Sequence, residues 1–258
     1  MVFAYKDPHV HVPENDSSAI LSAHGIKVSH CPLPQISAFY QSYGHWVKHK
    51  TPYVIAKWAQ TFDGKVALDG HPFKITNPFA DAFTHQQRCL ADVMMTTAQT
   101  IQIDNPKLNV RLPNAEYSKP VAVLDRCLTL TGKEQFFECA SEVHVFHQVG
   151  QSPSFSMPHV QFHAMDVTDE HLNLQSVLQC LGKLGYHELW LEAGPRLMAA
   201  MHQQQLVQKT HILLAPKVLG EEGLNAYALD SCYFSTPFQF ECRQLDDNVL
   251  TTFVWRDE

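Results

Sequence analysis

Lys57 stands in the middle of an apolar segment, YVIAKWAQ (53–60). A charge there is costly unless it is paired or used. Thr61, Asp63 and Gly64 follow at once in QTFDGKVA. A second apolar segment, VMMTT (93–97), runs into TTAQTIQIDNPKLNVR, which carries Thr96, Thr97, Thr100, Asp104, Leu108 and Arg111. A third, Leu189-Trp190-Leu191, ends in Glu192, and Ala193, Gly194 and Pro195 precede a helical pattern. Small residues admit a ligand close to the backbone. A helix starting there turns its free N–H groups outward, which favours an anion such as phosphate. Taken singly, each feature has a plain structural account. Lys57 could reach the surface along its stem, Asp63-Gly64 could be an ordinary turn, Asp104-Asn105-Pro106 could be a loop, and Glu192 could be solvated.

The elements that must position these groups alternate in type. Strand signals fall at 53–60, 93–97, VAVLD (121–125), VHVFH (143–147), VQFHA (160–164), 189–191 and THILLAP (210–216). A helix begins at Asn77-Pro78 and runs towards Asp92, another spans 172–184, and a third begins at Gly194. FQFECRQLD (238–246) and NVLTTFVWR (248–256) form a hairpin-like pair meeting at Asp246-Asp247. Alternation followed by an antiparallel finish predicts an α/β fold with a mixed central sheet flanked by helices. Residues 1–50 differ from the rest. They suggest strands at 2–5 and 26–29, a short helix at 17–24, and one helix over 35–48 with Ile36, Phe39, Tyr40, Tyr43, Trp46 and Val47 as its packed stripe. The segment 12–17 and the pair Thr51-Pro52 read as hinges.

With 258 residues, 45% of them apolar and 17% charged, the chain reads as globular. A net charge of -7 without Lys/Arg blocks argues against nucleic acid or an anionic membrane as partner. No apolar run approaches spanning length, and the N-terminus lacks the pattern of a leader. Seven cysteines without a CxxC pair (31, 89, 127, 139, 180, 232 and 242) read as reduced thiols in the cytoplasm. His9 and His11 form an HxH unaccompanied by HExxH or paired cysteines, so no metal is expected.

Five motifs in this order, PYVIAKWAQTFDGKVA, ITNPFADAFTHQQRCLAD, TTAQTIQIDNPKLNVR, LEAGPRLMAA and LLAPKVLG, resemble the reductase half of the bifunctional riboflavin-biosynthesis deaminase/reductase. The resemblance implies a dihydrofolate-reductase-like fold and a small-molecule substrate. It implies NADPH-dependent reduction of 5-amino-6-(5-phosphoribosylamino)uracil to the ribitylamino product, and association into a homo-oligomer, a dimer. Residues 1–50, through YKDPHVHV and ILSAHGIKV, resemble only the end of the deaminase half, with the reductase domain over 51–258. The His-x-Glu and Pro-Cys-containing pair of a zinc deaminase do not occur in the sequence, so deamination is not expected.

Carried over residue by residue, the resemblance sets Glu192 against substrate and the turn and helix start at 194–200, including Gly194, Pro195, Arg196 and Leu197, against NADPH. Ala59, Thr100 and Asp104 fall on the cofactor side. Arg88, Leu108 and Arg111 fall on the substrate side, the arginines suiting a ribose phosphate. Lys57, Asp104 and Glu192 are the candidate catalytic groups, Asp104 and Lys57 foremost. Three positions depart from the family pattern. Lys74 replaces a Trp that contacts cofactor, Arg126 replaces a small hydroxyl residue after the strand acid Asp125, and Pro72 replaces a polar substrate contact. Lys74 and Arg126 could instead neutralise a cofactor 2′-phosphate. These departures keep two other readings open: a diverged reductase of another pteridine or pyrimidine, and a silent nucleotide-binding partner.

Overall fold

A computed structural model describes residues 1–8, 17–68, 73–168, 170–226 and 238–255. His9, His11, Pro72, Cys232 and most of the first hinge lie outside the described residues. The chain divides into two compact units, Met1–Tyr53 with Leu178–Glu188, and Val54–Val177 with Leu189–Glu258.

In the first unit, β1 (Val2–Phe3) pairs in parallel with β2 (Ser29–His30), separated in sequence by α1 (Ser17–Ala23). The single helix expected over 35–48 is two, α2 (Pro34–Phe39) and α3 (Gln41–His49). The chain breaks at Tyr40, whose ring stacks on Tyr5 at 4.5 Å and meets Phe39 edge-on. Side-chain stacking there overrides a periodicity that reads as continuous. Lys50 closes α3 in the left-handed conformation. Trp46 Nε1 donates to the Gly182 carbonyl at 2.8 Å, and a Cβ on Gly182 would lie 2.2 Å from the Lys50 carbonyl, so only glycine fits there.

The second unit carries, in chain order, β3 (Tyr53–Thr61), β4 (Lys65–Leu68), α4 (Pro78–Leu90), β5 (Val93–Thr97), α5 (Ala98–Asp104), β6 (Val110–Leu112), β7 (Ala115–Tyr117), β8 (Pro120–Leu124), α6 (Gln135–Cys139), β9 (Glu142–Gln148), β10 (Val160–Met165), β11 (Val167–Thr168), β12 (His171–Leu172), α7 (Leu174–Lys183), β13 (Glu188–Leu191), α8 (Pro195–Gln203), β14 (Lys209–Ala215), β15 (Gly223–Asn225), β16 (Phe238–Leu245) and β17 (Asn248–Trp255), with β3, α7 and β13 reaching into the first unit at one end. Nine strands form one sheet in the order β10-β9-β8-β5-β13-β3-β14-β17-β16. The pairs β10/β9, β9/β8, β8/β5, β5/β13 and β14/β3 are parallel, while β14/β17 and β17/β16 are antiparallel. This is the expected mixed sheet with its C-terminal hairpin.

The parallel strands are near-continuous apolar runs because both faces are covered, and Val54, Ala56, Val93, Val121, Val143 and Trp190 are fully buried. Their carboxyl ends gather Thr61, Thr97, Asp125 and Glu192 along one side of the sheet, where open α/β sheets bind ligands. No helix among the described residues is long and apolar enough to cross a membrane.

Candidate active site

Glu192 extends the ladder one residue beyond β13, its N–H donating to the Met95 carbonyl at 3.0 Å. Its carboxylate receives Arg88 Nε at 2.6 Å and Arg88 Nη2 at 3.0 Å, a bidentate pair, together with Trp190 Nε1 at 2.6 Å. Arg88 comes from the last turn of α4 and also donates from Nη1 to the Asn109 carbonyl at 3.0 Å. Burial pushes the Glu192 carboxyl up, but the charges of Arg88 and Lys57 outweigh it and hold the group at about 2. Lys57 points from β3 into the same field. Burial lowers its ammonium pKa, Glu192 opposes that shift and Arg88 adds to it, with the net result downward. No hydrogen bond or ion pair joins Lys57 to another described residue. Arg88 and Lys57 therefore share a poorly solvated pocket with Glu192, Asp81 of α4 also acting on both cations, and among the described residues only Arg88 of the two is ion-paired.

Arg111 is fastened to the same corner. Its N–H donates to His85 Nδ1 at 3.1 Å, and its Nη1 donates to Asn109 Oδ1 at 2.5 Å. Asn109 thus holds both arginines, one by its carbonyl and one by its side chain, and its amide is itself engaged by Glu116. His85, on α4, is held at about 4 by burial and by the charges of Arg88 and Arg111. A neutral ring with Nδ1 as acceptor follows from that bond. Leu108, buried, adopts a left-handed φ of 49° that delivers Asn109 to this corner.

The expected cofactor-side residues take other positions in the second unit. Thr97 caps α5 by accepting from the Thr100 N–H at 3.2 Å, and the two hydroxyls meet at 3.0 Å. Thr96 Oγ1 is buried without a hydrogen-bond partner among the described residues. Asp104 ends α5 and is exposed; partial burial alone raises its carboxyl, with no charged group acting on it. The structure therefore does not join Asp104 to the Lys57, Arg88 and Glu192 cluster. Ala59, on β3, lies opposite Leu213 of β14 and is half-buried.

At the start of α8, Gly194 is extended, no side chain caps the helix, and a Cβ on Gly194 would meet nothing within 4 Å. Pro195 opens the helix, Arg196 is exposed and Leu197 half-buried. Lys74 pairs with Asp81 at 2.5 Å. Asp125 is consumed by its own turn, accepting from Thr129 N–H and Oγ1 and from Leu130 N–H, and Arg126 follows it half-buried. Asp63 accepts from the Thr61 hydroxyl at 2.6 Å and from the Gly220 N–H at 2.8 Å, which locks the TFDG turn to the PKVLG loop.

Asn109, His85 and Trp190 were not among the sequence-derived candidates. The Asn109 signal lay in its place between two chosen positions, Leu108 and Arg111. The other two look like helix and strand core residues until Arg111 and Glu192 are seen to bond to them.

Comparison with known proteins agrees with this architecture. The family model described as the RibD C-terminal domain matches residues 52–231. The riboflavin biosynthesis protein RibD of Actinobacillus pleuropneumoniae is 32% identical over 186 residues, covering 68% of this chain and 48% of that protein. Its counterpart in Escherichia coli K12 is 27% identical over 239 residues, covering 86% of this chain and 64% of that one. The chain thus spans about half the length of several curated relatives it matches. A solved Thermotoga maritima structure, named as a diaminohydroxyphosphoribosylaminopyrimidine deaminase and 5-amino-6-(5-phosphoribosylamino)uracil reductase, superposes with a TM-score of 0.84. It is 23% identical, over 99% of this chain and 71% of that one, and the likeness establishes a shared dihydrofolate-reductase-like fold.

Proposed function

The chain belongs to the RibD C-terminal domain family, and from that premise we propose that it reduces 5-amino-6-(5-phosphoribosylamino)uracil with NADPH, converting the ribosyl chain to ribityl. The observation that carries the reading is the half-buried Arg88–Glu192 pair, with Lys57, which has no ion pair among the described residues, sharing its field and with Glu192 two residues before the open helix start at Gly194.

The residues present fit a nicotinamide dinucleotide. The uncapped N–H groups of α8 and the open space at Gly194 suit a diphosphate, and the Thr96 hydroxyl, without a partner among the described residues, and the Thr97–Thr100 hydroxyls offer polar contacts at the end of β5, the strand beside β13. Ala59, Thr100, Asp104 and residues Gly194, Pro195, Arg196 and Leu197 form the proposed cofactor side. Lys74 is already neutralised by Asp81, which favours Arg126 over Lys74 for an extra 2′-phosphate. Bound NADPH supplies the hydride.

The chain's own groups orient and polarise. Glu192, locked as a carboxylate by Arg88, keeps a lone pair on Oε2 for an N–H on the uracil edge. Lys57, whose burial makes its proton easier to release, is the group suited to hold or deliver a proton at the reacting sugar nitrogen. Arg111 is the phosphate ligand, presented by Asn109 and the His85 bond. Leu108 shapes the same wall, and Asp104 is proposed to act from the cofactor side. No deaminase step is proposed for this chain.

Equilibrium titration tests the cofactor part. NADPH should bind about tenfold or more tightly than NADH. Gly194→Val should weaken NADPH binding by a similar factor with the melting temperature unchanged, since the side chain enters open space without backbone strain. Equal affinity for both cofactors, or a Gly194→Val variant that binds normally, would overturn the assignment.

A further inference from the structure

β6 and β7 form a small two-stranded sheet of their own, joined by the two-residue turn Pro113-Asn114. Within it Arg111 stands directly opposite Glu116. The turn makes Leu112↔Ala115 a hydrogen-bonded pair, so Arg111↔Glu116 is a pair of the other kind. Such pairs have Cα atoms about 4.5 Å apart and their side chains at closest approach. Opposite charges placed this way attract and ordinarily join. Here they do not. Both residues are exposed, yet no ion pair links Arg111 to Glu116 among the described residues.

Asn109 stands between them. Its Oδ1 accepts from Arg111 Nη1 at 2.5 Å and its Nδ2 donates to Glu116 Oε1, so the two ends of one neutral amide are spent on the two charges. Only the carbonyl end of an amide can serve a guanidinium, and only its NH2 end a carboxylate. Asn109 is 2% exposed and its backbone carbonyl holds Arg88 Nη1 at 3.0 Å, which leaves the amide little room to withdraw. The Arg111 main chain is pinned too, by its N–H bond to His85 Nδ1 at 3.1 Å. A shorter side chain at 109 would leave guanidinium and carboxylate face to face. An aspartate there would neutralise Arg111 by itself.

We propose that Asn109 is a positioning residue that insulates Arg111 from Glu116, and so sets how strongly the chain prefers a phosphorylated sugar over the same sugar without its phosphate. The proposal rests on the reading of Arg111 as the phosphate ligand. With Nη1 on Asn109, no hydrogen bond from Arg111 Nε or Nη2 forms among the described residues, and that edge of the guanidinium suits two phosphate oxygens. If Glu116 paired with Arg111, an incoming phosphate would first have to displace a carboxylate, and the pair would offer it almost no net charge.

Equilibrium titration of the whole chain with 5-amino-6-(5-phosphoribosylamino)uracil and with its dephosphorylated ribosylamino analogue tests this, the ratio of the two affinities being the readout. Arg111→Ala should lower that ratio by about tenfold or more. Asn109→Ala should lower it by about fivefold, the strength of a good exposed ion pair competing for the guanidinium. The double variant N109A/E116Q, which removes the competitor, should return the ratio to within about twofold of wild type. Glu116→Gln alone should leave it equal or higher. Melting temperatures check folding, and Asn109→Ser, too short to reach both charges, replaces Asn109→Ala if that variant does not fold. An unchanged ratio in Asn109→Ala, or a double variant as weak as Asn109→Ala, would overturn the insulating role while leaving Arg111 as the phosphate ligand. A ratio untouched by Arg111→Ala would overturn the phosphate assignment itself, and the insulating role with it.

Discussion

At the scale of single residues, the site is governed by where charge is buried and what compensates it. Glu192 is held at about 2, His85 and His163 at about 4, and His211 at about 3, burial being the leading cause for all three histidines. All four values lie below those of the unfolded chain. As pH falls through these windows the unfolded state takes up protons that the folded state refuses, so stability rises with pH. The histidine contributions are complete above about 6.5 and that of Glu192 above about 4.5. The urea midpoint should therefore fall progressively below pH 6.5, and His85→Asn, which keeps an acceptor for the Arg111 N–H, should remove part of the fall. A midpoint flat down to pH 4.5 would contradict these assignments. Lys57 carries the opposite burden, a charge kept in the pocket without an ion pair or hydrogen bond among the described residues. Lys57→Met should leave the melting temperature equal or higher while turnover drops by about a hundredfold or more. Wild-type turnover in that variant would remove Lys57 from the mechanism. Lys57 and Glu192 stood out in the sequence because charges interrupting apolar strands are rare. Their compensation was not legible, since the Glu192 partner lies 104 residues away in the chain.

At the scale of elements, long apolar strands and capped helices were readable and short elements were not. β3, β5, β8, β9 and β14 lie where their apolar runs indicate, and α4 starts at Asn77-Pro78 as its cap chemistry requires. α5 was missed because AQTIQID buries only Ala98 and Ile101, too few to show a period. The β6–β7 hairpin has three-residue arms and gives no alternation to detect. The expected strand at 26–29 forms only as β2, at Ser29–His30, in register with β1. A sequence pattern also cannot show how elements are tied together. Asn77 is the example: its side chain accepts from the Ala80 N–H, donates to the Leu245 carbonyl and to Asp247, and its own N–H donates to buried Asn248. It binds the start of α4 to the turn of the C-terminal hairpin, and α4 carries both His85 and Arg88. Asn77→Ala should cost about 2 kcal/mol through the lost cap and the disrupted hairpin contacts. Chemical denaturation measures it directly; a loss below a few tenths of a kcal/mol would show that the tie is incidental.

At the scale of the whole molecule, the family match begins at residue 52 and one compact unit runs to Tyr53. That first unit also takes in Leu178–Glu188, a long-range association that reading along the chain does not reveal. The catalytic proposal concerns groups of the second unit alone, so it can be judged on one reaction. The most direct measurement follows nicotinamide absorbance while the purified chain meets 5-amino-6-(5-phosphoribosylamino)uracil and NADPH, with Glu192→Gln run in parallel and folding checked by melting temperature. The expected result is oxidation of NADPH that requires the pyrimidine, yields the ribitylamino product mole for mole, and falls by at least about tenfold in the folded Glu192→Gln variant. A folded wild-type chain that binds both ligands yet oxidises no NADPH would contradict the account.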